Sequence, residues 1–229
     1  MTKKNPQKMP EQLRQRRLDL SAWVWHYVRR DENPNETLRN IIRDEAIKGS
    51  ICRPFDEHVV CFTETPLWAH IAEDVELRGW EYARLSLYGI GFRRDWLYEQ
   101  GARPVIYTER MYYDVLPGEL KHLFVEFDLI KEVDFSWQRE WRIKTEEFTV
   151  DRSKSVLIFP DHNDFQDIIY DYYADFDVSD GEVETYGSVD KKWNFIPCDF
   201  RETFDDESIV AYIHEDFCED LEPITLDVL

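Results

Sequence analysis

Residues 20–28 read LSAWVWHYV, with Trp23, Trp25 and Tyr27 alternating with Ala22, Val24, His26 and Val28. Apolar and aromatic residues at a period of two predict a β-strand whose successive side chains point to opposite faces. The next segment changes period. Asn35 is placed to cap a helix with Leu38, Ile41, Ile42 and Ala46 at helical spacing, and Gly49 fits its stop. A short buried-type strand, Val59-Val60-Cys61-Phe62, then ends at Thr63-Glu64-Thr65-Pro66. Pro66 can open a helix running through Trp68, Ile71, Ala72 and Val75 to Gly79.

Further along, Ala83–Phe92 (ARLSLYGIGF) reads as a central strand whose two glycines mark close backbone approach or a bulge. Arg93–Gln100 forms a helical turn closed by Gly101, and Arg103–Tyr107 (RPVIY) a strand with Pro104 near its start. Leu120, Leu123, Phe124 and Phe127 give residues 117–129 helical spacing. Ser136–Lys144 (SWQREWRIK) alternates strictly, Ser155–Phe159 (SVLIF) is a buried strand, and Asp161–Tyr173 reads as a helix. Two short apolar patches, Lys192–Phe195 and Ile209–Ile213, sit inside acidic text. Strands and helices follow one another without regular βαβ alternation. The expected class is therefore α+β, with a mixed, largely antiparallel sheet and flanking helices.

Composition narrows the function. Of 229 residues 43% are hydrophobic and 15% aromatic, which excludes a disordered chain. No apolar run approaches the roughly 20 residues needed to span a bilayer, and the N-terminal residues lack a signal-peptide core. A cytoplasmic protein is expected, with reduced thiols at Cys52, Cys61, Cys198 and Cys218. The net charge is −20, and residues 151–229 carry 22 acidic against 5 basic side chains. Residues 1–150 are nearly balanced. Strong nucleic-acid binding is not expected, because affinity for phosphate comes mainly from positive charge. A partner with a basic protein surface is expected. The division that follows is a basic arm over 1–19, an α+β core over 20–160, and an acidic region over 161–229 packed on that core.

Chemistry concentrates in residues 134–144, DFSWQREWRIK. On a strand, Gln138, Glu140, Arg142 and Lys144 share one face, and Trp137 and Trp141 the other. A carboxylate beside an amide and cations suits holding a ribose hydroxyl and stabilising an oxocarbenium-like transition state. The same strand also reads as an edge strand with a ladder of ion pairs. His26 stands in an aromatic strand as a core hydrogen-bonder or a site residue. Thr63 and Glu64 follow a buried strand, where Thr63 can serve a site or cap a helix. Tyr88 lies beside two glycines that would admit a flat ligand. A metal site at Cys52, His58, Cys61 and His70 has a spacing that matches no zinc pattern, and no metal is expected. A cluster of Glu126, Asp128, Asp134 and Glu140 would be the Mg²⁺ set of a nuclease, a reading the acidic charge opposes.

Five blocks of the chain carry a resemblance. They are the tryptophan-rich strand with His26, the helix 38–49, CFTETP at 61–66, YGIGFRRDWLYEQGARPVIY at 88–107, and WQREWR at 137–142. Over residues 20–160 the chain resembles the AbiGi-type abortive-infection family of bacterial phage-defence proteins. It is more weakly similar to ADP-ribosyltransferase-like enzymes, including DarT-type toxins. That second resemblance implies NAD as substrate and an ADP-ribosyltransferase-like fold. It implies that Glu140 binds the nicotinamide-ribose 2′-hydroxyl and stabilises the oxocarbenium, and that Gln138 helps choose the acceptor. It also implies that His26 holds the adenosine-side ribose and that Tyr88 stacks on nicotinamide. Thr63 and Arg142 complete the set expected to hold the cofactor. The alternative expectation is a non-enzymatic, antitoxin-like or phage-sensing protein.

Overall fold

A computed structural model describes residues 21–30, 33–67, 69–70, 85–151, 154–160, 164, 193–196 and 210–214. It shows an α+β chain with a largely antiparallel sheet. The strand read from LSAWVWHYV is β1, Trp23–Arg29. Helix α1, Pro34–Asp44, follows it, capped by Asn33, two residues earlier than the Asn35 cap the sequence suggests. The Asn33 side chain accepts from Glu36 N–H while Pro34 fills the first helical position, where its missing N–H is harmless. The helix stops at Glu45, which adopts a left-handed conformation (φ 49°), and not at Gly49. Ala46 therefore leaves the helix and opens β2, Ala46–Lys48.

The remaining strands are β3 (Ser50–Cys52), β4 (Glu57–Thr63), β5 (Leu85–Arg93), β6 (Arg103–Pro104), β7 (Ile106–Thr108) and β8 (Phe124–Glu126). They continue with β9 (Glu140–Lys144), β10 (Glu147–Thr149), β11 (Ser155–Phe159), β12 (Trp193–Ile196) and β13 (Val210–His214). The turn expected at 93–100 is the short helix α2, Arg94–Glu99. The main sheet runs β12-β13-β11-β5-β1-β4-β9-β6, with β3 also on β4, and every pairing in it is antiparallel. Two strands of the acidic third thus extend the sheet beyond β11.

One face of this sheet is the core. Val24 and Val28 of β1, Val60 and Phe62 of β4, Ile90 and Phe92 of β5, Leu157 and Phe159 of β11 and Trp141 of β9 all point to it. There they meet Leu38, Ile41 and Ile42 of α1 and Leu97 of α2. These alternating positions are what the period of two predicts. The opposite face carries an aromatic row. Trp23 stacks on Trp25 at 6.0 Å, Trp25 on Tyr27 at 6.2 Å, and Tyr27 on His70 at 3.7 Å between ring centroids.

Two sequence expectations fail here. Residues 117–129 are not a helix. A 3-10 turn, Gly118–Leu123, leads into β8, which pairs in parallel with β7 and buries Phe124. The apolar spacing came from two different elements, and Leu120 and Leu129 end up exposed. The strand expected at 103–107 is broken at Val105, whose N–H donates to Glu140 O. The helices expected beyond Thr65 and at 161–173 lie almost wholly outside the described residues. Among the described residues no helix is long and apolar enough to cross a membrane.

Candidate functional site

The site begins with a fault in the sheet. On one edge β4 pairs with β9 from Val59↔Lys144 to Thr63↔Glu140. On its other edge β3 takes residues 57–59, and β1 meets β4 only at Trp25↔Thr63. Residues 60–62 therefore face no strand on that edge. The strands part there, and a cavity of about 290 Å³ opens, lined by Trp25, His26, Cys61, Thr63, Gln138 and Glu140 among others.

His26 fills part of the gap. Its ring Nδ1 lies 2.8 Å from Cys61 O, and because a carbonyl only accepts, Nδ1–H is the donor. Burial lowers the His26 pKa below 6.5, with this bond opposing the shift, so the ring is neutral at pH 7. By ladder parity His26 belongs to the core face, whereas Glu140, Thr63 and Trp25 belong to the other. They share one cavity because the parted strands let it run through the sheet. Trp25 contributes an unusual feature. A Cβ added at Gly91 would meet the benzenoid edge of its ring, so the edge bearing Nε1 is turned away from β5. That N–H is buried without a hydrogen-bond partner among the described residues.

The face-sharing expected along 136–144 is only half realised. Ser136–Gln138 is a 3-10 turn, Arg139 is left-handed (φ 45°), and the strand begins at Glu140. Gln138 and Glu140 therefore meet through a turn and not as alternate residues of one strand. Trp137 and Trp141 do not form a common packing face. Trp141 is buried in the core, while Trp137 belongs to the turn.

The cause lies in CFTETP. Thr65 Oγ1 donates to Trp137 O (3.0 Å), Thr63 Oγ1 donates to Gln138 O, and Glu64 N–H donates to Arg139 O (3.1 Å). Three successive carbonyls are thus gripped by three successive residues. Thr63 lines the cavity, and its hydroxyl donates to Gln138 O and accepts from Thr65 N–H. The Glu64 carboxylate accepts from Arg94 (2.7 Å) and from Trp141 Nε1 (3.0 Å), with Arg139 Nη2 at 3.6 Å.

Glu140 is itself held. Arg142 Nε donates to Oε1 at 2.7 Å and Nη2 to Oε2 at 3.2 Å, a bidentate pair whose side chains are 14% and 8% exposed. Arg142 Nη1 donates to His122 O and Phe124 O, both at 3.0 Å. Burial works against the Arg142 charge, and Glu140 more than offsets it, so the guanidinium pKa is raised. Arg142 thus holds Glu140 in place while also lining the neighbouring cavity. Beside them, burial and then the Glu140 charge push the Cys61 thiol well above its usual pKa, leaving it protonated.

Tyr88 lies elsewhere. It lines neither this cavity nor its neighbour, and it packs on the core with its ring edge-on to Phe159 at 6.4 Å. The flat groups seated on the two glycines are the protein's own. Trp25 pairs with Gly91 and Tyr27 with Gly89, and a Cβ would come within 2.3 Å and 2.9 Å of their rings. The histidines of the metal reading are also occupied. His58 Nδ1 bonds Gly49 O at 3.0 Å and His70 Nε2 bonds Ser86 O at 3.0 Å. Among the described residues no three His, Cys, Asp or Glu side chains gather to hold a metal ion.

A second cavity, about 390 Å³, abuts the first. It shares Gln138 and Glu140 and is lined also by Arg53, Pro54, Arg110, Phe124, Val133 and Phe135. Sequence reading passed over Arg53 and Arg110, which lie in no motif. Compared with known proteins, the chain matches no family model, no curated protein and no solved structure.

Proposed function

We propose that the cleft between β1 and β4 is the active site of an NAD-consuming enzyme of ADP-ribosyltransferase type, serving bacterial phage defence. The observation that carries this reading is the convergence of His26, Gln138 and Glu140, far apart in sequence, on one cavity of about 290 Å³. A cavity of this size suits a nucleoside-sized group, near the lower end of the roughly 300–1,000 Å³ of small-ligand sites. The unpartnered Trp25 Nε1–H offers a donor for an acceptor atom of that group.

Cleavage breaks the bond between ribose C1′ and the nicotinamide nitrogen. The bonding pair leaves with nicotinamide, and the ribosyl oxocarbenium is captured by water or by an acceptor that then loses a proton. A carboxylate has about four lone-pair sites, of which Arg142 takes two. The protonated Cys61 thiol hydrogen-bonds a third, the remaining site is left for a ribose hydroxyl, and the fixed negative charge stabilises the developing cation. Gln138, at the junction of the two cavities, is placed to meet the acceptor.

The test is release of nicotinamide from NAD by the purified protein, with and without lysate from phage-infected cells. Glu140→Gln is expected to abolish release while the chain stays folded, and Gln138→Ala to change the acceptor modified. No release from the parent protein under any of these conditions overturns the reading.

A second reading has its own observation. Both Glu140 oxygens are taken up by a buried arginine, which is also what a purely structural pair looks like. In that case the protein is a non-enzymatic, antitoxin-like or phage-sensing binder of a basic protein, through the 22 acidic side chains of residues 151–229. Phage protection that survives Glu140→Gln but is lost on neutralising Asp199, Glu202, Asp205, Asp206 and Glu207 would favour it.

A further inference from the structure

The 390 Å³ cavity has a charge pattern that the rest of the chain does not prepare for. The protein carries a net charge of −20, yet this cavity is lined by three arginines and two glutamates. Arg142 is neutralised by Glu140 at 2.7 Å, and Glu126 has Lys131 at 3.5 Å. Arg53 and Arg110 have no carboxylate within ion-pair distance among the described residues. The Arg110 guanidinium lies over the rings of Tyr113 and Phe124, at 4.6 Å and 5.8 Å. Two exposed, uncompensated guanidiniums thus stand over a cavity walled by Phe124, Val133, Phe135 and Pro54. Guanidinium groups bind phosphate oxygens with a matched fork, and aromatic walls receive a planar ring. The polar end is made by the Gln138 amide and the Glu140 carboxylate, an acceptor and donor set suited to ring or sugar edges.

We infer that this cavity binds a phosphate-bearing aromatic ligand of mononucleotide size, with Arg53 and Arg110 on the phosphate and Phe124 and Phe135 against the ring. The acidic surface elsewhere repels a nucleic-acid strand, so the ligand is a free nucleotide and not a polymer end. The site does not depend on NAD turnover. It stands or falls apart from the reading above.

The experiment is titration calorimetry of the full chain at low salt with AMP, GMP, CMP and UMP. The same titration is run with adenosine, with inorganic phosphate, and with a 5′-phosphorylated oligonucleotide. Saturable binding of at least one monophosphate is expected, at least tenfold tighter than its nucleoside or phosphate alone. Arg53→Ala and Arg110→Ala should each weaken it about tenfold, the loss expected for one charge-assisted hydrogen bond of about 1.4 kcal/mol. Arg43→Ala, on the far helix α1, should leave it unchanged. Both arginines are exposed, so the variants are expected to fold, and unchanged far-UV circular dichroism checks this. No saturable nucleotide binding, or binding indifferent to both substitutions, overturns the inference. Equal affinity for phosphate alone overturns the ring subsite, and tighter binding of the oligonucleotide overturns the free-nucleotide assignment.

Discussion

Glu140→Gln removes the charge from a carboxylate that receives two N–H bonds from Arg142, at 2.7 Å and 3.2 Å. The guanidinium it leaves behind is 8% exposed and retains the carbonyls of His122 and Phe124. Removing one partner of a buried ion pair costs roughly 3–5 kcal/mol, because the other charge stays buried. The glutamine oxygen still accepts one N–H, and the two carbonyls still shield the cation. The expected loss is therefore about 2–4 kcal/mol, roughly 1 kcal/mol below that range. At roughly 2–4 °C per kcal/mol for a chain of this size, Tm should fall by roughly 4–16 °C. Arg142→Met should be comparably destabilising, since it strands the Glu140 carboxylate. The double variant should lose less than the sum of the singles by about 1–3 kcal/mol. Urea unfolding followed by tryptophan fluorescence measures all three. Single variants within about 0.5 kcal/mol of the parent, or strictly additive losses, would refute the pairing as the device that holds Glu140. The result also sets the temperature at which nicotinamide release by Glu140→Gln is measured, well below its midpoint.

Gly91→Ala would put a Cβ 2.3 Å from the Trp25 ring, which is fully buried, and should cost about 1–3 kcal/mol in urea midpoint. Gly118→Ala, with nothing within 4 Å, should be near neutral, and equal effects at the two positions would refute the seat described for Trp25. His70 is buried against Tyr27 with its pKa lowered from 6.5 to about 4, chiefly by burial. The unfolded chain takes up this proton first as pH falls. His70 therefore contributes stability that is fully present above pH 6.5 and is lost between 6.5 and 4, on the order of 3 kcal/mol. Replacing His70 with Phe should flatten the stability-against-pH curve across that window by a comparable amount. An unchanged slope would show that another group carries it.

The readings that held were local in origin. The alternating run at 23–28 and the short apolar runs at 59–62, 85–92 and 155–159 became strands, since side-chain alternation and short buried runs are both properties of the extended backbone. Leu38, Ile41 and Ile42 became the buried face of α1 for the equivalent reason at a period of 3.6. The errors arose where local pattern met a distant partner. The apolar spacing at 120–127 looked helical, yet Phe124 and Val125 were claimed by pairing with β7.

The sequence by itself determined the α+β class, the strand carrying His26 and a strand ending at Lys144. It also exposed the two glycines as places of close approach, without saying to what. Tertiary structure alone decided that the approach is by Trp25 and Tyr27, and that Arg139 must turn left-handed. That turn is enforced by hydrogen bonds from Thr63, Glu64 and Thr65, more than seventy residues earlier in the chain. It alone brought His26 and Glu140, on opposite faces by parity, to one cavity. Strand alternation is encoded residue by residue, but which edge of β4 goes unpaired depends on where β3 ends and β1 begins to diverge. No window of sequence contains that competition, because it is settled between segments that meet only when the chain has folded.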